Sequence, residues 1–286
     1  MQREPRVSPR VCAAPRGRAS FWGATPGARL HDAIANPNTE YRDMTDATNL
    51  PPLYSAIDLL DRVQHKTLRV RGLKNAKFTA RQHFFPLTGA EFAEAGRCYP
   101  VVFLRADGRV GAMAITGATP GVNAALGEDE RWRPGLYVPA YVRRYPFILV
   151  RVGDELKIGL DPNAPHLSSV EGEPIFDANG DTGGLARIQS FCAAYDAAWR
   201  DTEAFVAALE EKGLLAPATT TFSSGAEEAT ARVGGFEIID QARLEALDPA
   251  ILADWLRRGW LALIEAHRAS LRRWADIRAA GMPAAA

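Results

Sequence analysis

The sequence contains little cysteine, and its few cysteines are far apart. Cys12, Cys98 and Cys192 are spread over 286 residues. An odd number at this spacing matches neither a zinc site, nor a redox motif, nor the disulfide framework of a small secreted protein. We therefore expect a protein without disulfide bonds, as is usual in a reducing compartment.

The chain also lacks an excess of charge of either sign. Its 34 Lys and Arg are balanced by 34 Asp and Glu, so the formal net charge is zero at pH 7. Nucleic-acid-binding proteins normally present a strongly basic face, so we expect no nucleic-acid partner. A neutral chain also gives no reason to expect electrostatic attachment to an acidic membrane.

Long apolar runs are absent as well. The longest uncharged apolar run lies around residues 145–150, far short of the ~20 residues that a helix needs to cross a bilayer. The beginning of the sequence has no apolar segment of the kind found in secretory signal peptides. The sequence alone predicts a cytoplasmic protein without a membrane span, and it leaves export by another route open.

The first 43 residues differ in composition from the rest. They contain seven Arg and no Lys, with prolines at positions 5, 9, 15, 26 and 37. This composition is typical of a disordered extension; an alternative is a mis-assigned start, with Met44 as the true first residue. We predict a single domain over residues 44–286, β-rich at 44–180 and mainly helical at 181–286.

Signatures of known catalytic and metal sites are missing too. There is no P-loop, no G-x-G-x-x-G after a strand and no G-x-S-x-G, and the five histidines do not have metal-ligand spacing. Residues 177–181 begin like a calcium loop, but Thr182 and Ile188 replace its required Gly and Glu. We expect no metal and no cofactor, and whether the protein is an enzyme stays open.

The most informative pattern lies in residues 131–162. An apolar stripe at helical spacing is followed by the apolar run 147–150, a turn, and a segment that alternates apolar and polar residues over 155–160. Pro146 ends the helix, because the residue before a proline is disfavoured in the α region. The stripe consists of Val138, Tyr141, Val142 and Tyr145.

The same layout occurs 46 residues earlier, where Tyr99-Pro100 corresponds to Tyr145-Pro146. Thr88 and Glu91 form the capping box of the earlier helix. We therefore predict two helix–β-hairpin units in one mostly antiparallel sheet. The alternative is that any helix followed by a hairpin produces this likeness.

The second half of the chain is dominated by helical patterns. An apolar stripe begins after Thr182, and Asp201 is predicted to start a second helix. The Thr-, Ser- and Ala-rich residues 216–226 are predicted to form a loop, followed by a strand at 231–239 and further helices up to residue 277. A β-rich first half and a helical C-terminal half predict an α+β fold.

One group of side chains indicates a binding site. Arg143 and Arg144 lie close to two tyrosines in sequence, and guanidinium groups bind carboxylates and phosphates bidentately. The alternative is a structural role, in which the arginines cover apolar surface or pair the ends of the sheet. Our candidate site residues are Tyr137, Tyr141, Arg143, Arg144, Arg97 (the repeat equivalent of Arg143) and His83, which is otherwise a packed loop histidine.

Several segments, in order, resemble the SapC family of bacterial proteins over about residues 50–275. They are FFPLTGAEFAEAGRCYPVVFL (84–104), YVPAYVRRYPFILV (137–150), GEPIFDANGD (172–181), VGGFEIIDQARLEAL (233–247) and GWLALIEAHRASL (259–271). The family is named after a surface-layer gene cluster and carries a loose transport label. The resemblance implies that biological context, but it supplies no catalytic residues to transfer onto these positions.

Two functions are therefore compared. The first is a binding or accessory protein with an unknown protein partner or a small anionic ligand, linked to bacterial surface-layer or export systems. The second is an enzyme acting on a small anionic or peptide substrate at the Tyr/Arg site. An enzyme should have one deep pocket with converging polar groups and perturbed titratable residues. A module that binds another protein should instead expose an apolar patch.

Overall fold

The computed structural model describes residues 50–106, 108–176, 183–223 and 230–281. The strands are β1 (Asp58–Leu59), β2 (Arg69–Val70), β3 (Phe84–Pro86), β4 (Val101–Ala106), β5 (Arg109–Ile115), β6 (Phe147–Val152), β7 (Glu155–Leu160), β8 (Leu167–Ser168), β9 (Glu173–Pro174), β10 (Leu215–Ser223) and β11 (Thr230–Ile239). The helices are α1 (Phe92–Ala95), α2 (Ala140–Arg144), α3 (Gly183–Glu211), α4 (Gln241–Glu245), α5 (Pro249–Arg257), α6 (Trp260–Ser270) and α7 (Trp274–Gly281). Both the predicted N-terminal extension (1–43) and the calcium-loop-like segment lie outside the described residues.

The fold is α+β, as predicted, and its strand pairs are antiparallel. In the described residues, the strands form three sheets with the orders β10-β11-β4-β5-β3, β1-β7-β6 and β8-β2-β9. The C-terminal part is mainly helical, and it also contributes the long hairpin β10–β11 to the five-stranded sheet.

Both predicted helix–hairpin units are present, as α1–β4–β5 and α2–β6–β7. Tyr99 and Tyr145 are buried at equivalent places, and the Tyr145–Pro146 peptide bond is cis. The prediction of a single sheet is wrong, because the first hairpin lies in the five-stranded sheet and the second in a three-stranded one. Both edges of the first hairpin are already paired, with β3 and with β11, so neither edge is available for the second hairpin.

The single long helix α3 packs against both units. Cys192 belongs to the apolar cluster beneath the second hairpin, whereas Phe205 and Leu209 belong to the cluster beneath the first. The predicted restart at Asp201 is wrong, since this side chain is exposed on the outer side of a continuous helix and does not interrupt it. Gly213 ends this region with φ of 62°, a conformation that glycine adopts without strain.

The predicted loop at 216–226 is also wrong over its first part. Residues up to Ser223 form β10, which pairs with β11 along its whole length. A register shift between Ala218 and Thr219 lies opposite the Gly234-Gly235 pair, and Gly235 has φ of 85°. The two glycines therefore permit the bulge in this hairpin.

Helix α6 holds the ends of two inner strands of the five-stranded sheet, β4 and β11. His267 is fully buried, and its two ring nitrogens contact the carbonyl of Val101 at 2.8 Å and the N–H of Ile239 at 3.2 Å. The Ser270 hydroxyl accepts a hydrogen bond from the Val101 N–H at 2.9 Å. Two polar side chains of one helix thus satisfy backbone groups of β4 and β11 that the sheet leaves unpaired.

Candidate functional site

A cavity of about 450 Å³ lies between the end of α2, the beginning of α3 and the chain around β2. We call it the arginine cavity. Most of its wall is apolar, as is usual for small-molecule sites. Its lining residues are Val70, Leu73, Asn75, Ala76, Phe78, Trp132, Val138, Val142, Arg143, Arg144, Tyr145, Pro146, Phe147, His166, Arg187, Ile188, Phe191 and Cys192.

Arg144 is the most unusual residue in this wall, because it is a charged side chain that is only 6% exposed. Its guanidinium carbon lies 5.0 Å from the ring centre of Tyr141 and 4.4 Å from that of Tyr195. The hydroxyl groups of Tyr54 and Tyr141 donate to the carbonyls of Phe147 at 2.7 Å and Pro52 at 2.6 Å. The two rings stabilise the cation through their faces.

The charge of Arg144 has no counter-charge in the part of the chain that the structure describes. No carboxylate there forms an ion pair with it, and its buried Nε has no hydrogen-bond partner among these residues. A buried charge is costly unless an opposite charge and hydrogen bonds compensate it. The guanidinium is therefore a buried cation without a compensating charge among the described residues.

Arg143 lies on the more exposed side of the cavity. Its Nε donates to the carbonyl of Val138 at 3.1 Å, and one terminal nitrogen donates to the Tyr137 hydroxyl at 3.0 Å. The rings of Tyr137 and Phe191 are each 5.6 Å from its guanidinium carbon. These contacts hold the side chain in place and leave its remaining N–H groups for a ligand.

The buried carboxylate of Glu91 connects the two repeated units. One oxygen accepts from the backbone N–H and the hydroxyl of Thr88, each at 2.9 Å. The other accepts from the Tyr137 hydroxyl at 3.0 Å and the Ala140 N–H at 2.6 Å. The predicted capping box therefore also fixes the start of α2 and, through Tyr137, the position of Arg143.

Apart from its arginines, the titratable groups in the wall are uncharged at neutral pH. Burial raises the pKa of the Cys192 thiol to about 11, although Arg144 partly opposes this shift. Burial lowers the pKa of His166 to about 4, and the charge of Arg71 adds to the effect. Burial and the carboxylate of Asp161 raise the pKa of Tyr145 above its ordinary value. The positive charge of the wall thus comes from its arginines.

The structure brings four of the six predicted residues together. Arg143 and Arg144 line the cavity. Tyr137 and Tyr141 do not line it, but they contact Arg143 and Arg144 respectively. Arg97 is exposed, forms an ion pair with Glu94 and does not line the cavity.

His83 lies apart from this group. It is buried beside Phe84 and accepts a hydrogen bond from the Gly121 N–H at 3.2 Å, and it is not part of the cavity wall. Its ring therefore belongs to the packing between β3 and the loop that follows β5.

Sequence reasoning did not identify several residues of the site. Tyr195 lies on the apolar stripe of α3, where it is indistinguishable from a core residue in the sequence. His166, Phe78 and Phe191 reach the cavity from three distant segments. No pattern in the sequence distinguishes these four residues as parts of one site.

Neither a candidate metal site nor a membrane-spanning helix is found in the part of the chain that the structure describes. Across the described ranges, no three His, Cys, Asp or Glu side chains are grouped so that they could hold a metal ion. Among the helices that the structure describes, none combines the length and the apolar character needed to cross a bilayer.

Comparison with known proteins gives one match. A sequence model described as SapC matches residues 60–277, which is more than half of the chain. No curated protein and no solved structure matches it. The segments that resemble this family include Glu91, Tyr137, Arg143 and Arg144. The chain therefore belongs to the SapC family.

Proposed function

We propose that this protein binds a small, partly apolar anion in the arginine cavity. The observation that carries the proposal is Arg144, a buried cation without a carboxylate partner among the described residues, in the wall of a cavity of about 450 Å³. Arg143 adds a second positive charge at the same end of α2. The apolar remainder of the wall favours a ligand with a hydrocarbon portion.

The chemistry of the wall supports binding more than turnover. A thiol with its pKa near 11 is protonated at neutral pH and is a poor nucleophile. A histidine whose pKa is near 4 is a weak base at neutral pH. A binding role, with the ligand released unchanged, is the function that these groups favour.

An enzyme acting on the same anion is the second candidate. One deep pocket with converging polar groups and perturbed titratable residues is the feature that we expect of an enzyme. Tyr145, His166 and Cys192 are the titratable groups that such a reaction would find in the wall besides the arginines.

The physiological setting is proposed from the family name alone. An accessory role in a bacterial surface-layer or export system fits a protein that binds a ligand without converting it. Purification from the cells that naturally produce the protein, followed by identification of co-purified molecules, tests this setting. A small anion supports the cavity, and a stoichiometric protein partner supports the accessory role.

The binding proposal is tested by titration calorimetry with hexanoate and decanoate, using hexanamide as the uncharged probe. We expect the carboxylates to bind and the amide not to bind. Arg143→Gln should weaken carboxylate binding by about tenfold, since a charge-assisted hydrogen bond contributes about 1.5 kcal/mol. Arg97→Gln is the matched control, because Arg97 is the repeat equivalent outside the cavity, and it should change nothing.

The proposal is overturned if a folded wild-type protein binds none of these carboxylates. Equal weakening by Arg143→Gln and Arg97→Gln would also contradict it. To separate binding from catalysis, the bound carboxylate is recovered after long incubation and examined by mass spectrometry. An unchanged molecule supports binding, and a converted one supports the enzyme.

A further inference from the structure

Resting on the proposed function, we infer that the ligand carries a second anionic group, joined to the first by an apolar segment, and that this second group binds in an adjoining cavity. The chemical class is an elongated dianion, such as a linear dicarboxylate. The inference adds a second subsite to the arginine cavity and thereby sets the length of the ligand.

The adjoining cavity has a volume of about 420 Å³ and is more polar than the first. It is lined by Leu73, Lys74, Asn75, Ala76, Arg131 and Trp132. Four of these six residues, namely all except Lys74 and Arg131, also line the arginine cavity. The two cavities therefore adjoin along this part of the chain, and the inference requires that a ligand reach from one to the other.

Two cations distinguish the second cavity. Lys74 is exposed and forms no ion pair among the described residues, whereas the neighbouring Lys77 is paired with Glu130 at 2.7 Å. Arg131 is only loosely paired, since its Nε lies 3.7 Å from the carboxylate of Asp129 and both side chains are about two-thirds exposed. Arg144 does not line this cavity, so the positive charge of its wall comes from Lys74 and Arg131.

Apolar side chains line the arginine cavity and the part of the wall that the two cavities share. Phe78, Val142 and Phe191 line the arginine cavity, and the indole of Trp132 lies in the shared wall. The Trp132 N–H donates to the Tyr99 hydroxyl at 2.8 Å and to the Tyr137 carbonyl at 3.1 Å, so the ring is held in one orientation. Charge at both ends and hydrocarbon in the middle is the pattern that a linear dicarboxylate complements.

The test compares dicarboxylates with monocarboxylates of the same chain length by titration calorimetry at low ionic strength. The pairs are succinate with butyrate, adipate with hexanoate, suberate with octanoate and sebacate with decanoate. We expect one dicarboxylate to bind up to about fivefold more tightly than its partner, because an exposed ion pair contributes up to about 1 kcal/mol. The length at which this preference is greatest measures the separation of the two subsites.

The Lys74→Gln/Arg131→Gln double variant should reduce that preference to within about twofold and leave monocarboxylate affinity unchanged. Lys66→Gln is the control, since Lys66 is an exposed lysine that lines neither cavity. Circular dichroism is the check that each variant is folded.

The outcomes separate the two proposals. Binding of monocarboxylates without any preference for a dicarboxylate overturns the second subsite and leaves the arginine cavity as a binding site. A preference that survives in the double variant also overturns the second subsite, because the second anion would then bind elsewhere. Failure of both ligand series to bind overturns the proposed function together with this inference.

Discussion

A guanidinium between two tyrosine rings is the residue-scale feature on which the site depends. Arg144 gives up hydration on burial, and two cation–π contacts of about 0.5–2 kcal/mol each offset part of that cost. The neighbouring hydroxyl groups of Tyr54 and Tyr141, whose pKa values burial raises, bring no opposite charge at neutral pH. An arginine kept in this environment is explained better by a ligand than by stability.

Replacing Arg144 tests separately what this residue contributes to stability and to ligand binding. Arg144→Met keeps a long apolar stem in the same space and removes a buried charge, so we expect the free energy of unfolding to fall by less than about 1 kcal/mol or to rise. Carboxylate binding should be lost. Urea unfolding and calorimetry measure the two quantities, and a variant that is strongly destabilised would show that Arg144 serves the fold.

His267 makes stability dependent on pH. Its Nε2 accepts from Ile239, so the neutral ring donates from Nδ1 to Val101, and burial lowers its pKa from 6.5 to about 4. Below pH 6.5 the unfolded chain takes up a proton that the folded chain does not, and the free energy of unfolding therefore falls as the pH is lowered towards 4. The slope per histidine approaches about 1.4 kcal/mol per pH unit.

NMR titration of the imidazole signals tests this assignment. We expect the His267 ring to keep the chemical shifts of the neutral form well below pH 6.5, whereas an unperturbed imidazole titrates near that value. A titration midpoint for His267 close to 6.5 in the folded protein would contradict the assignment. The slope of stability against pH, measured by urea unfolding, would then be smaller as well.

At the scale of elements, the sequence predicted the local units better than their assembly. Periodicity over residues 138–160 and the capping box at Thr88 and Glu91 identified both helix–hairpin units, because these signals are local. The division into separate sheets could not be predicted, since it depends on which distant strands cover each edge. One of these strands, β1, has only two residues and no pattern of its own.

Composition was misleading for β10. Thr, Ser and Ala between glycines are typical of a loop, yet threonine also fits well on a partly buried strand surface. The long pairing with β11 decides between the two conformations. Such a pairing is a property of two segments together, and neither segment shows it alone.

Gly159 marks the place where β1 approaches the second hairpin. A Cβ added there would lie 2.9 Å from Cγ2 of Ile57 and 3.2 Å from Cγ2 of Ile148. We expect Gly159→Ala to lower the free energy of unfolding by about 1–3 kcal/mol through overpacking. Gly72→Ala is the control, because no atom lies within 4 Å of its added Cβ; equal effects of the two variants in urea unfolding would contradict this explanation.

At the scale of the whole molecule, a net charge of zero conceals an uneven distribution. In the wall of the arginine cavity, Arg143 and Arg144 form no ion pair with a described carboxylate, whereas Arg187 is paired with Glu173. The candidate site was predictable where its residues are neighbours in sequence, as with Tyr137, Arg143 and Arg144. It was not predictable for His166 or Phe191, which the tertiary fold brings into contact with the cavity.

This distribution predicts a specific response to salt. Exposed charges are screened strongly once the Debye length falls to about 10 Å or less, whereas buried charges are screened much less. We expect added salt to reduce the preference for a dicarboxylate, which depends on Lys74 and Arg131, more than it reduces monocarboxylate affinity at Arg144. Calorimetric titrations at several salt concentrations measure both, and a parallel decline would contradict the assignment of one buried and one exposed subsite.

The carboxylate of Glu91 has a consequence for how this architecture arose. Two of its four donors come from its own unit, and the other two come from the start of the next. A solitary ancestral unit would have left half of that buried anion unsatisfied. If the two units descend from a duplicated segment, the second copy supplies two of the four hydrogen bonds that a buried acidic side chain at this position needs. Loss of either copy would then remove half of these hydrogen bonds.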